Sequence, residues 1–215
     1  MSEHVRFSSD TTESGAGRDA GDLSRAEFLK RGLLAGGALT VAGALATGGP
    51  GLAAGSQPSA AMDTEILNYF LMLEYLQEAF YDRAVAQGAL SGELQDFAET
   101  VREHEREHIS FLEQILGPDA RDAPSFDFGS DTDTPEAFRK AAVIVEETTA
   151  SAYIGQGANL TKANVLGAAR IVSVEARHAA WIKDIIGRLP APRPADVAKS
   201  EAEVRRTLRS KGWLG

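Results

Sequence analysis

The chain has no cysteine. Disulfides, thiolate metal sites, a cysteine nucleophile and a lipid-modified N-terminal cysteine are therefore excluded together. Histidine is scarce: His4, His104, His108 and His178 are the only four in 215 residues. Imidazole chemistry beyond the N-terminal tail must use the last three. Basic side chains are outnumbered, 22 Lys and Arg against 31 Asp and Glu, for a net charge of −9. That balance argues against a nucleic-acid partner, because phosphate binding needs clustered Lys and Arg. Runs of alternating apolar and polar residues, which would specify strands, are missing too. What remains is a composition ordinary for a globular domain, 43% hydrophobic and 25% charged, in a chain long enough for one sizeable core.

The first sixty residues stand apart. Residues 1 to about 23 are rich in Ser, Gly, Asp and Glu and carry too little apolar surface to fold. Ser24-Arg25-Ala26-Glu27-Phe28-Leu29-Lys30-Arg31 follows, then a Gly/Ala/Leu run from Gly32 to about Ala46 and a small-residue end near Gly51-Leu52-Ala53. A basic segment, an apolar segment and a small-residue end read as an export signal over residues 1–54, removed on export. The Ser-Arg-Ala-Glu-Phe-Leu-Lys segment resembles the twin-arginine motif, with Ala26 in place of the second arginine. Retention as a membrane anchor is the alternative. Gly36-Gly37, Gly43 and Pro50 interrupt the run, which is short for a span of about 20 apolar residues. The expectation is an exported protein of the periplasm, cell envelope or exterior, without a stable membrane span after removal. Residues 55–62 read as a linker.

From Asp63 a helical period takes over. The first helix runs to about Gln87, with Asp63 as its cap, Gly88 as its stop and a stripe of Leu67, Phe70/Leu71, Glu74, Glu78 and Tyr81. The second opens at Ser91-Gly92-Glu93 and ends near Gly117-Pro118. Its stripe is Phe97, Val101, Glu105, His108, Leu112 and Ile115. A stretch rich in Asp, Pro, Gly and Ser, from Pro118 to Thr134, comes next. Extended at roughly 3.3 Å per residue it reaches about 55 Å. That exceeds the roughly 37 Å of a 25-residue helix. It can run the length of a bundle and set the third helix parallel to the second, with Phe126 and Phe128 pinning it. Thr134-Pro135-Glu136 starts the third helix, whose stripe is Phe138, Ala142, Glu146, Thr149 and Tyr153. The fourth runs from about Lys162 to Gly187 with Ile171, Glu175, His178, Ile182 and Ile185 on one face. A polar helix from about Ala195 to Ser210 and a docking Trp213 complete the chain. The fold class is all-α: a four-helix bundle over 63–187 with one long crossover, and a C-terminal helical extension over 188–215.

Each stripe carries buried-type ionisable residues in its middle. The second and fourth helices each place Glu-x-x-His there, Glu105/His108 and Glu175/His178; the first and third each place a glutamate, Glu74 and Glu146. Glu74 to Glu105 is 31 residues and Glu146 to Glu175 is 29, so the chain reads as two helix pairs built to one plan. A carboxylate and an imidazole inside an apolar stripe are costly unless something binds them. Carboxylate oxygens and imidazole nitrogens bind first-row metals at about 2.0–2.2 Å. Residues three apart on a helix can converge on one ion. Four carboxylates and two imidazoles match two divalent cations. His104 reads as a neighbour of the site or a surface residue, Glu78 as an extra ligand or a surface carboxylate. Tyr75, Tyr81 and Tyr153 read as core residues able to donate hydrogen bonds.

Through Ile66-Leu67-Asn68-Tyr69, Leu73-Glu74-Tyr75-Leu76, Glu105-Arg106-Glu107-His108, Ala152-Tyr153 seven residues after Glu146, and Glu175-Ala176-Arg177-His178, the sequence resembles the ferritin-like superfamily, closest to its exported, desiccation-related branch. The resemblance covers residues 63–187. It implies a carboxylate-bridged centre of two iron or manganese ions, with Glu74 and Glu146 as terminal or bridging ligands and the two Glu-x-x-His pairs supplying the rest. It implies O2 or hydrogen peroxide as the small-molecule partner, in ferroxidase-, peroxidase- or catalase-like chemistry. Iron storage, or a non-enzymatic stress or envelope protein in which metal holds the bundle together, stand as alternatives. A homo-oligomer is compatible with the sequence and not required by it.

Overall fold

The computed structural model describes residues 57–215. The predicted signal over 1–54 lies outside the described residues. Five α-helices follow in order: α1 Ala60–Gln87, α2 Glu93–Leu116, α3 Pro135–Gly157, α4 Lys162–Ile185 and α5 Glu201–Ser210. Among the described residues there is no strand, only an isolated bridge between Phe126 and Leu214. No helix among them is long and apolar enough to cross a membrane.

The first helix starts earlier than its sequence suggests and for a different reason. Ser59 is the cap, its hydroxyl accepting from the Met62 N–H at 3.3 Å, so α1 takes in the last residues of the predicted linker. Asp63 is instead buried inside the helix. Its carboxylate accepts from the Thr161 N–H at 2.9 Å and Asn164 Nδ2 at 2.6 Å, which ties the start of α1 to the start of α4. Burial alone would raise this carboxyl; the donors more than offset that and hold it below its ordinary value. Gly88 stops α1 with φ of 67°, a left-handed conformation that costs glycine little.

The other ends fix the topology. Near the end of α1, Arg83 donates to the Gly129 carbonyl at 2.6 Å and Gln87 to Asp133 at 2.8 Å. The crossover therefore returns to the end where α1 stops and α2 starts, and α3 starts there too. Helices α2 and α3 run parallel, as the length of the connection permits. Phe128 is buried, and Trp213 packs against both it and Phe80 while donating to Asp131 at 2.8 Å. The crossover and the C-terminal tail thus cover α1, which explains why 15 of its 28 residues are buried against 7 of 24 in α4.

Two sequence expectations are corrected. The last helix begins at Glu201, not near Ala195, because Ser200 and Glu203 form a reciprocal capping box that sets the start. Residues 195–200 run non-helically across α3, where the Lys199 N–H donates to the Ser151 carbonyl at 3.0 Å. Gly155 permits that approach: a Cβ there would sit 1.9 Å from the Lys199 carbonyl oxygen. Ile115 does not extend the inner stripe of α2; it is 39% exposed, because Leu112 and Leu116, four residues apart, take the inner face.

Candidate metal centre

The four helices bring all six predicted residues to one point. Glu74 from α1, Glu105 from α2, Glu146 from α3 and Glu175 from α4 are each fully buried, with His108 and His178 beside them. His108 turns Nδ1 to Glu105 at 3.0 Å, Glu74 at 3.1 Å and Glu175 at 3.3 Å. His178 turns its Nδ1 to Glu105 at 3.3 Å, Glu146 at 3.5 Å and Glu175 at 3.8 Å. Two overlapping sets result: Glu74, Glu105, His108 and Glu175, and Glu105, Glu146, Glu175 and His178. Within each, one donor atom per residue lies within 4.8 Å of all the others. Glu105 and Glu175 belong to both sets, so the shared carboxylates come from the Glu-x-x-His helices. Sequence alone could not assign that.

The donor set fits a metal on the geometry of its own atoms. Glu105 Oε1, Glu175 Oε1 and His178 Nδ1 are buried and without a hydrogen-bond partner, and all three point into the cluster. Buried polar atoms without a hydrogen bond are costly, and a cation would pair the two carboxylate oxygens and the unprotonated imidazole nitrogen. The protonation pattern has the same origin. Burial first, and then neighbouring carboxylates, push Glu74 and Glu175 up to about 7. Burial alone would lower His178, but Glu105 and Glu146 more than offset this and raise it to about 10. His108 is likewise raised, against its burial, by Glu105, Glu175 and Glu74. Without metal, protons neutralise the same excess of negative charge.

Three further side chains complete the inner site. The Tyr81 hydroxyl donates to Glu146, and the Tyr153 hydroxyl donates to Glu74. Each tyrosine lies seven residues after the glutamate of its own helix and serves the glutamate of the other. Burial and those carboxylates raise both phenols well above their ordinary value, which keeps them as donors. Gln77, not singled out from sequence, donates from Nε2 to Glu175 at 2.9 Å and to Glu146 at 3.3 Å. Its signal was available: a polar residue three after Glu74 shares the inner face.

Around this site the remaining candidates separate. Glu78 is not in the cluster; it accepts from Arg106 at 3.1 Å on the surface, beside Asp82 and Glu103. Tyr75 donates to Glu113 at 2.6 Å, outside the core. His104 is more telling. Its Nδ1 lies 2.9 Å from His178 Nε2, with ring centres 5.1 Å apart and planes 13° apart. Most of the centre-to-centre separation is the hydrogen bond, so the rings meet edge to edge and nearly coplanar. Burial and the neighbouring His178 lower the His104 pKa, which leaves Nδ1 free to accept.

A groove opens onto this site between α2 and α4. It comprises adjoining cavities of about 440 Å³ and about 430 Å³, which share Glu107, His108, Val174 and Arg177. Phe111 and Ile171 line the first, Trp181 the second.

A family model described as the ferritin-like domain matches residues 62–188, a span that contains all six clustered residues. No curated protein matches the chain at a significant level.

Proposed function

The chain belongs to the ferritin-like domain family, and from that premise we propose that its bundle core holds two iron or manganese ions that react with O2 or hydrogen peroxide. The carrying observation is the convergence of buried Glu105 Oε1, Glu175 Oε1 and His178 Nδ1, none with a hydrogen-bond partner, on one point. In this reading Glu74 and His108 would hold one ion, Glu146 and His178 would hold the other, and Glu105 and Glu175, common to both sets, would be available to each. Such a pair supplies, when bound, two adjacent Lewis-acidic, redox-capable centres for an oxygen ligand.

The chain's own residues prepare that site. Tyr153 and Tyr81 fix the orientation of Glu74 and Glu146. Gln77 holds Glu175 and Glu146 in place across the pairs. Phe70 stacks on Tyr153 at 3.8 Å and, with Val101, Leu112 and Ile182, excludes water. The absence of cysteine removes the protein-borne iron–thiolate domain that delivers electrons in rubrerythrin-type peroxidases. Peroxidase turnover would draw on an external donor; catalase-type dismutation would not. The signal-like residues 1–54, followed by a linker and the bundle over 63–187, support export. The sequence resemblance to the desiccation-related branch supports a role in oxidative or desiccation stress.

Elemental analysis of the purified protein, followed by hydrogen peroxide disproportionation and ferrous oxidation assays, tests this reading. Two ions per chain with turnover in either assay is the expected result. A metal-free folded protein overturns it. Two ions that raise the melting temperature without turnover would instead favour a metal-stabilised envelope protein.

A further inference from the structure

The two helix pairs repeat one plan, but the residue before the ligand-helix glutamate differs. It is His104 before Glu105 and Val174 before Glu175. Both face the groove between α2 and α4. His104 reaches across and bonds the outer nitrogen of His178 at 2.9 Å. Val174 has no polar atom to offer His108 in return. His108 Nε2 accordingly has no protein partner among the described residues, whereas its Nδ1 meets three carboxylates. Exposure follows the same split: the His108 side chain is 11% exposed and that of His178 only 3%, while the four glutamates are at 0%. The His108 ring lines both cavities; the one lined by Phe111 and Ile171 touches neither His104 nor His178, and in the other His104 stands beside His178. At the mouth, Arg170 and Arg177 form no ion pair among the described residues, and Glu107 is the single carboxylate in the lining. In a chain of net charge −9 this is a locally cationic opening with apolar walls.

Resting on the dimetal reading above, we propose that the groove between α2 and α4 is the port through which a peroxide-sized ligand, favoured as a monoanion, reaches the centre beside His108, and that His104 closes the His178 side. The two arginines attract the anion, and their field is felt over about one Debye length, roughly 10 Å at 0.1 M salt. Phe111, Ile171 and Val174 give the passage low-dielectric walls. His104 does two things at once: it covers His178, and by accepting from Nε2–H it fixes Nδ1 as the metal-facing nitrogen. Outer partners of this kind orient the ligand and strengthen its hold on metal.

Azide binding to the cobalt(II)-loaded full bundle, followed by visible absorption in stopped flow, tests the port with a readout independent of turnover. Val174→Trp fills the groove beside His108. It is expected to slow azide association by about tenfold or more, with cobalt content unchanged. His104→Val copies the residue of the other half and opens the second side. It is expected to speed azide association about twofold, with cobalt affinity about tenfold weaker. A Val174→Trp protein fully loaded with cobalt and unchanged in azide association overturns the port. Should that variant not fold, Arg177→Glu at the exposed mouth serves instead. It should slow azide several-fold at low salt, an effect that added salt removes, and no change would equally overturn the port. Wild-type protein that takes up no cobalt overturns the dimetal reading and the port with it. Cobalt uptake without any azide response overturns the port alone.

Discussion

The pair α1–α2 and the pair α3–α4 place the same ligands at the same depth, yet they are not equivalent. Three corresponding positions show how. Three residues after the glutamate of the first helix in each pair, Gln77 spans Glu146 and Glu175, whereas Thr149 makes no side-chain hydrogen bond among the described residues. Before the second glutamate, His104 supports His178, whereas Val174 leaves His108 bare on its outer edge. Seven residues after the first glutamate the pairs do agree: Tyr81 and Tyr153 each donate to the glutamate of the opposite pair. The symmetric contacts all serve the carboxylates that face inward, where charge must be neutralised on both sides alike. Of the asymmetric ones, Gln77 lies fully buried against Glu146 and Glu175, and His104 sits at the rim, where one side is closed and the other meets solvent. The repeated plan is kept at the two tyrosines and departs at Gln77 and His104.

The largest effect should come from breaking the shared ligands. Glu105→Ala or Glu175→Ala removes a donor from both sets and should bring metal content below one ion per chain. Glu74→Ala, Glu146→Ala or His178→Ala touches one set and should leave about one ion, with elemental analysis as the readout. Equal loss in both groups of variants would erase the distinction between shared and unshared carboxylates.

The reciprocal tyrosines set the next scale. Tyr81→Phe and Tyr153→Phe each leave a buried carboxylate short of one donor. Each should lower stability by about 1–3 kcal/mol in denaturant unfolding, and by similar amounts. A large inequality would mean that the tyrosine contacts, too, differ between the two halves.

The third test is the pH response. In metal-free protein Glu74 and Glu175 are raised from 4.5 to about 7, and His178 from 6.5 to about 10. The folded state therefore holds protons that the unfolded chain releases. The stabilisation is complete below 4.5 for the carboxyls and below 6.5 for His178, and is lost as pH rises through 7 and then 10. The melting temperature of metal-free protein should fall between about pH 5 and pH 9 from these groups. Metal displaces the same protons, so the loaded protein should show a flatter profile. A metal-free profile that rises with pH would contradict the assignment of excess negative charge to this cluster.

Much of this was legible in the order of residues. The period of apolar positions marked four helices. Pro135 and Gly88 punctuated them, and the length of the crossover permitted the parallel setting of α2 and α3 that Arg83 and Gln87 now anchor. Glu105/His108 and Glu175/His178 stood out because a helix puts residues three apart on one face. The misreadings were local. Asp63 resembled a cap because capping residues and buried acceptors share the same chemistry; Thr161, 98 positions away, decides between them. Ala195 looked helical by composition, but the capping box five residues later fixed the start.

The sequence by itself determined which side chains face the core, since helical periodicity is a property of neighbours along the chain. It thereby determined the six residues of the cluster and the cysteine-free, carboxylate-rich character of the donor set. Only the tertiary structure decided which glutamates are shared, which tyrosine serves which carboxylate, and that His104 meets His178 while His108 is left facing a groove. Those contacts join residues 65 to 79 positions apart, through the relative rotation of packed helices. No spacing within one helix encodes that rotation.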